Sequence, residues 1–86
     1  MHVRANIIIY SASHCPYCVR AKALLARKGM PFTEVLINTN DKLREEMIAK
    51  AARYTVPQIF FHDQHIGGFN DLHALDISGK LDLFNA

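Results

Sequence analysis

The chain has no tryptophan, only two cysteines, and no blocks of like charge: ten basic and eight acidic residues are interspersed over 86 positions, for a formal charge of +2. A charge so small and scattered gives no footprint for nucleic acid. Long hydrophobic runs are missing as well. The longest early one, Ile7-Ile8-Ile9-Tyr10, falls far short of a signal-peptide core or the roughly 20 residues a membrane helix requires. A cytoplasmic protein that contacts no membrane is therefore expected. No repeat, low-complexity tract or linker interrupts the chain. With 50% of its residues hydrophobic, it suits one compact domain over residues 1–86, able to bury a core without metal or disulfide staples.

The two cysteines, Cys15 and Cys18, stand three positions apart. A disulfide-stapled secreted fold usually carries four or more, spread along the chain, and a bridge closing so short a loop restrains the unfolded chain least. The pair points to chemistry rather than to a staple. Zinc offers a competing use, because Cys15, Cys18, His62 and His65 form two close-spaced pairs. Against it, a hairpin about Asp63-Gln64 leaves both histidines as solvent-facing flanks, and no metal is expected.

The β-branched run 5–10 reads as a strand covered on both faces. Pro16 suits the first position of a helix running to about Lys28, with Cys18, Ala21, Leu24 and Leu25 on one face and Gly29 as the stop. Pro31 opens a second strand over 32–37. Asn40 or Asp41 caps a helix over 41–52, with Leu43, Met47, Ile48 and Ala51 as its buried stripe and Glu46 to Lys50 as an i to i+4 pair. Strands over 58–62 and 65–67 form a hairpin, and Asn70 or Asp71 caps a last helix containing Leu72, Leu75 and Ile77. The order β-α-β-α-β-β-α matches a thioredoxin-like α/β fold, a four-stranded mixed sheet flanked by three main helices, although the pattern alone leaves other small α/β folds open.

With Pro16 at the first helical position, Cys15 becomes the N-cap, and its sulfur can face the amides of Tyr17 and Cys18 and the positive end of the helix dipole. That setting favours thiolate over thiol. A fall from about 8.5 to about 5 would raise the thiolate fraction at pH 7 roughly thirtyfold, yet a Brønsted slope of about 0.4 to 0.5 lowers nucleophilicity by a similar factor. Attack gains little and departure gains much, because a low-pKa thiolate leaves a mixed disulfide readily. Cys18, one turn into the helix, should be the more buried, resolving thiol.

Placed at a helix start, Cys15-Pro16-Tyr17-Cys18 resembles the active-site run of the dithiol glutaredoxins. The resemblance extends through Thr55-Val56-Pro57-Gln58-Ile59-Phe60, His65-Ile66-Gly67-Gly68, Asp71-Leu72 and Gly79-Lys80-Leu81-Asp82. It implies a glutathione-dependent thiol-disulfide oxidoreductase with Cys15 as nucleophile and Cys18 as resolving thiol, reducing protein disulfides and glutathione mixed disulfides. It also implies a cis bond between Val56 and Pro57 and a peptide-binding backbone at Thr55 and Val56. Gly68, Phe69, Asn70 and Asp71 would hold the γ-glutamyl end at a helix start, and Tyr17 would cover the tripeptide.

Two positions depart from the family pattern. Ala12 stands where many members carry a lysine, so the pKa of Cys15 should be set mainly by the helix start. Arg44 matches a position whose side chain reaches the glycine carboxylate in relatives, and would carry that contact alone. Asn70 replaces an aspartate found in many relatives, with modest loss of negative charge. The rival implied by the same resemblance is an iron-sulfur cluster carrier with glutathione as co-ligand, against which Pro16 argues, since such members generally have glycine or serine after the first cysteine. Expected partners are glutathione as co-substrate and disulfide-bearing or glutathionylated proteins, met by a monomer.

Overall fold

The computed structural model describes residues 6–85. Its elements run β1 (Ile7–Ser11), α1 (Pro16–Arg27), β2 (Thr33–Leu36), a 3-10 turn (Ile37–Thr39), α2 (Asp41–Ala51), β3 (Gln58–Phe61), β4 (Gln64–Gly67), α3 (Phe69–Ile77) and a closing 3-10 segment (Lys80–Asn85). The sheet order is β2-β1-β3-β4, with β1 parallel to β2 and antiparallel to β3, and β3 antiparallel to β4. This is the mixed four-stranded sheet and helix order that the sequence implies. Ala5, placed at the head of the first strand from sequence, lies outside the described residues.

Strand alternation divides the core in two. Ile7, Ile9, Ile59 and Phe61 point to one face and pack with Ala21, Leu24 and Leu25 of α1, Leu72 of α3 and Leu81. Tyr10 and Phe60 point to the other, where Ile37 and the Met47 and Ala51 side chains of α2 cover them. Both faces of β1 are thus covered, which is why its apolar run does not alternate. Since β3 runs against β1 and β4 against β3, the end of β1, the start of β3 and the end of β4 share one end of the sheet. The loops leading into α1, β3 and α3 meet there. No helix among the described residues is long and apolar enough to cross a membrane.

Several local expectations are corrected. Phe32 and Ile37 fall outside β2; Ile37 instead begins the 3-10 turn and is buried beneath α2. Glu46 and Lys50 attract each other as an i to i+4 pair should, but not through direct contact. Both turn onto the buried Tyr10 hydroxyl, which donates to Glu46 at 2.6 Å and accepts from Lys50 at 3.3 Å. Burial first, and then the Glu46 bond, push the Tyr10 phenol above its ordinary value. The hairpin turns at His62-Asp63 rather than Asp63-Gln64, with both residues in the left-handed region at φ 51° and 66°, the backbone a tight two-residue turn requires. Ile77 is 73% exposed and takes no part in the core, whereas Leu81 in the closing segment is buried.

Candidate active site

Cys15 caps α1 as its sequence position implies: it is extended (φ −109°, ψ 106°), and its Sγ accepts from the Cys18 amide at 3.1 Å. Of the two amides expected at the sulfur, that of Cys18 makes the bond. No acidic side chain lies in the first turn to oppose the dipole. Cys15 and Cys18 are joined as a disulfide with their Cα atoms 5.2 Å apart. Their accessibility differs, since Cys15 is half-buried and Cys18 is 1% exposed. His14 enters this turn at φ 60°, a costly left-handed conformation for a residue with a Cβ. Ala12 packs into the α2-side core and brings no cation to the sulfur.

The second wall comes from the loop before β3. The Val56–Pro57 peptide is cis, as the resemblance implies. The Gln58 side chain donates to the Thr55 carbonyl at 3.0 Å and to the Thr55 hydroxyl at 3.3 Å, which anchors Thr55 across that peptide. Val56 makes no backbone hydrogen bond among the described residues. Its N–H and C=O are therefore open to an added strand.

The third wall is the start of α3. The cap is Gly68, not Asn70 or Asp71 as the sequence suggested; Asp71 sits at the third helical position and its Oδ2 accepts from the Gly68 amide at 2.9 Å. Gly67, at φ 123°, permits this closure, because a Cβ there would collide with the Asp71 carboxylate. Gly68 lies where a Cβ would stand 3.4 Å from the Pro57 carbonyl, so α3 and the cis loop touch. The first intrahelical bond runs from Leu72 to Gly68 at 3.1 Å. The amides of Phe69, Asn70 and Asp71 precede it and form a ready anion seat.

Tyr17 of α1, Thr55, Val56 and Pro57 of the second wall and Gly68, Phe69, Asn70 and Asp71 of the third line a groove of about 200 Å³, and neither cysteine is in its lining. Tyr17 is 52% exposed, with its ring 6.3 Å from that of Phe69 and the Arg20 guanidinium 5.4 Å above its own centroid. Arg44, in the first turn of α2, is exposed and does not line the groove. A separate cavity of about 260 Å³ lies on the α2 face of the sheet, lined by Ile8, Tyr10, Lys50, Phe60, Asp63 and His65, and includes none of the residues expected at the site.

Two groove residues, Arg53 and Gln58, and His65, which contacts Gln58, escaped the sequence reading. Arg53 lines the groove and pairs with Asp71 Oδ2 at 3.4 Å; a cation two positions ahead of Thr55 was the available signal. Gln58 also lines it, and its Oε1 lies 2.7 Å from Nε2 of His65. His65 is thus not a solvent-facing flank. It is half-buried, and burial first, then the charge of Arg53, hold its pKa below the ordinary histidine value. Among the described residues, no group of three or more His, Cys, Asp or Glu side chains is placed to hold a metal.

Comparison with known proteins finds likeness in sequence and in fold. The family model described as Glutaredoxin matches residues 7–66. Glutaredoxin 3 of Escherichia coli (strain K12) is 58% identical over 78 residues, covering 91% of this chain and 94% of that protein. The solution structure of glutaredoxin from Brucella melitensis superposes with a TM-score of 0.84 at 49% identity, covering 95% of this chain and 89% of that one. The crystal structure of a buckwheat glutaredoxin-glutathione complex shares the fold, with a TM-score of 0.86 at 24% identity over 94% of this chain and 76% of that one.

Proposed function

The chain belongs to the glutaredoxin family of glutathione-dependent thiol-disulfide oxidoreductases, with a thioredoxin fold, and on that premise we propose that Cys15 is its nucleophile, Cys18 its resolving thiol and the groove its glutathione site. The observation that carries the assignment is the unequal pair: Cys15 half-buried at a helix cap, Cys18 enclosed beneath it at 1% exposure. An external thiol or disulfide reaches one sulfur only.

In the reductive direction the Cys15 thiolate attacks one sulfur of a substrate disulfide. The S–S bond breaks, the other substrate sulfur leaves as thiolate and takes a proton, and a mixed disulfide remains at Cys15. When that adduct is glutathione, a second glutathione thiolate attacks the glutathione sulfur, releasing oxidised glutathione and the Cys15 thiolate. When it is a protein, the Cys18 thiolate attacks Cys15, the protein thiolate departs, and the Cys15–Cys18 disulfide forms. Glutathione thiolate then opens that disulfide at Cys15, with Cys18 as leaving group, and a second glutathione completes the reduction. The Cys18 amide, 3.1 Å from Sγ, stabilises Cys15 whenever it is the departing thiolate.

For the substrate, the open backbone of Val56 suits the cysteine of the tripeptide as an added strand, with Thr55 and Pro57 holding that edge in place. The amides of Phe69, Asn70 and Asp71, beyond the Gly68 cap, suit the γ-glutamyl α-carboxylate, and the Asp71 side chain suits its ammonium. Tyr17 forms the outer wall. Arg53 within the groove and Arg44 outside it are the cations offered to the tripeptide's carboxylates. The glutathione complex of the buckwheat relative supports the same class of ligand. Disulfide-bearing and glutathionylated proteins are the wider substrates of a cytoplasmic, monomeric single-domain protein. The Cys15→Ser variant is expected to lose glutathione-coupled disulfide reduction entirely while remaining folded; appreciable turnover by it overturns the assignment.

A further inference from the structure

Gln58 opens β3 directly after the cis peptide, and it is buried to 1% exposure. An amide so enclosed must find partners for its donors and its oxygen. Its Nε2 meets the Thr55 carbonyl at 3.0 Å and the Thr55 hydroxyl at 3.3 Å, while its Oε1 lies 2.7 Å from His65 Nε2. The Thr55 carbonyl can only accept, so the amide must turn its NH₂ toward Thr55 and its oxygen toward His65. It follows that His65 carries a hydrogen on Nε2. The imidazole is held in place by its ring contact with Phe60, at 5.0 Å between centroids.

We propose that His65 and Gln58 are positioning residues for glutathione: the relay from imidazole to amide to Thr55 fixes the loop that presents the Val56 backbone to the substrate's peptide. The inference rests on reading Thr55 to Pro57 as part of the glutathione site. Its logic is one of orientation. An amide can turn by half a revolution at little intrinsic cost, and only the His65 N–H distinguishes the two orientations from the Gln58 oxygen's side. With that donor removed, the oxygen is buried without a partner in one orientation and faces the Thr55 carbonyl in the other. In the first the bond to Thr55 survives only at the expense of a buried, unpartnered oxygen, in the second it is lost, and the edge that Val56 offers is less well preformed. Among the described residues these two side chains bond each other and Thr55 and not the sulfurs, so the effect falls on binding rather than on the exchange step.

The test uses the full chain with two variants at His65. His65→Phe keeps a ring against Phe60 and removes the N–H; His65→Gln restores a side-chain N–H donor. With a glutathionylated peptide as substrate, His65→Phe is expected to raise KM by about five- to tenfold, the worth of one buried hydrogen bond, with kcat changed less than about twofold. His65→Gln should recover most of that loss. In the wild-type protein, NMR should find the neutral Nε2–H tautomer of His65 and slow solvent exchange of the Gln58 side-chain N–H groups. An unchanged KM in His65→Phe, no recovery in His65→Gln, or an Nδ1–H tautomer each overturns the proposal. Titrating glutathione against the wild-type amides of Val56 and Asp71 separates this from failure of the site itself. If neither amide responds, the glutathione site is misplaced and the positioning role falls with it. If both respond while His65→Phe binds equally well, the positioning role alone is refuted.

Discussion

Both α1 and α3 begin at the groove, but α1 is capped by the sulfur of Cys15 with no acid in its first turn, whereas α3 is capped by Gly68 and carries Asp71 at its third position. At α1 the positive helix end is directed at a group that gains and loses a covalent partner. At α3 the Asp71 carboxylate closes back on the Gly68 amide and holds Arg53, leaving the amides of Phe69, Asn70 and Asp71 for an anion. The same backbone feature thus serves a leaving group at one helix and substrate charge at the other. Alteration of α1 should act on turnover, and alteration of α3 on affinity.

The largest effect expected after loss of Cys15 itself is at the other end of the α1 disulfide. Cys18→Ser should reduce glutathionylated substrates at near the wild-type rate and lose protein-disulfide reduction by about tenfold or more, because no internal thiol resolves the adduct. Equal losses on both substrate classes, in parallel steady-state assays, would break the division of labour. At α3, Asp71→Ala removes a charge from the substrate site and the Gly68 bond together. KM for glutathione should rise by about tenfold while kcat stays within about twofold, the pattern of lost uniform binding. A fall in kcat with KM unchanged would erase the contrast between the two helices.

A smaller effect separates the two arginines. Arg53→Ala should raise the glutathione requirement by about threefold, as expected for an exposed charge contact, and Arg44→Ala by less, since only Arg53 lines the groove. Kinetics at low and high salt decide it, and a larger effect from Arg44 would show that α2 reaches over the bound tripeptide.

The smallest effect concerns how α1 is tied to the sheet. Lys22 on α1 and the buried Ser11 hydroxyl both bond Glu34 Oε2, at 2.7 and 2.6 Å. The Lys22 bond first, then that of Ser11, hold the Glu34 carboxyl below its ordinary value of 4.5. A depressed carboxyl contributes stability above that value and loses it as pH falls through the lowered one. Glu34→Gln should therefore cost about 1 kcal/mol at neutral pH, and its deficit in melting temperature should vanish in acid. A deficit constant with pH would mean that shape and not charge makes the tie.

The periodic parts of the chain were legible in its sequence because they repeat a simple demand for burial. Cys18, Ala21, Leu24 and Leu25 share one face of α1 and are all buried, and the unalternating Ile7 to Tyr10 run is covered on both sides. Cys15 was readable as a cap because Pro16 fixes where the helix begins. The resemblance supplied Thr55 to Pro57 and Gly68 to Asp71, whose meeting in space could not be read from spacing. What escaped were groups whose roles depend on a partner far along the chain. Glu46 and Lys50 look like a helix pair until Tyr10, 36 and 40 positions earlier, comes between them. His65 looks like a hairpin flank until the start of β3 places Gln58 beside it, and Arg53 looks like a helix-end cation until α3 brings Asp71 to it.

The burial of Cys18 has one more consequence. A protein with two cysteines and one external thiol can form two singly linked adducts, which are constitutional isomers with identical mass. Enclosure of Cys18 at 1% exposure leaves only the isomer attached at Cys15 accessible to direct formation from solution. Molecules caught midway through turnover therefore constitute one chemical species, and a single intact-mass adduct should resolve on peptide mapping to one residue.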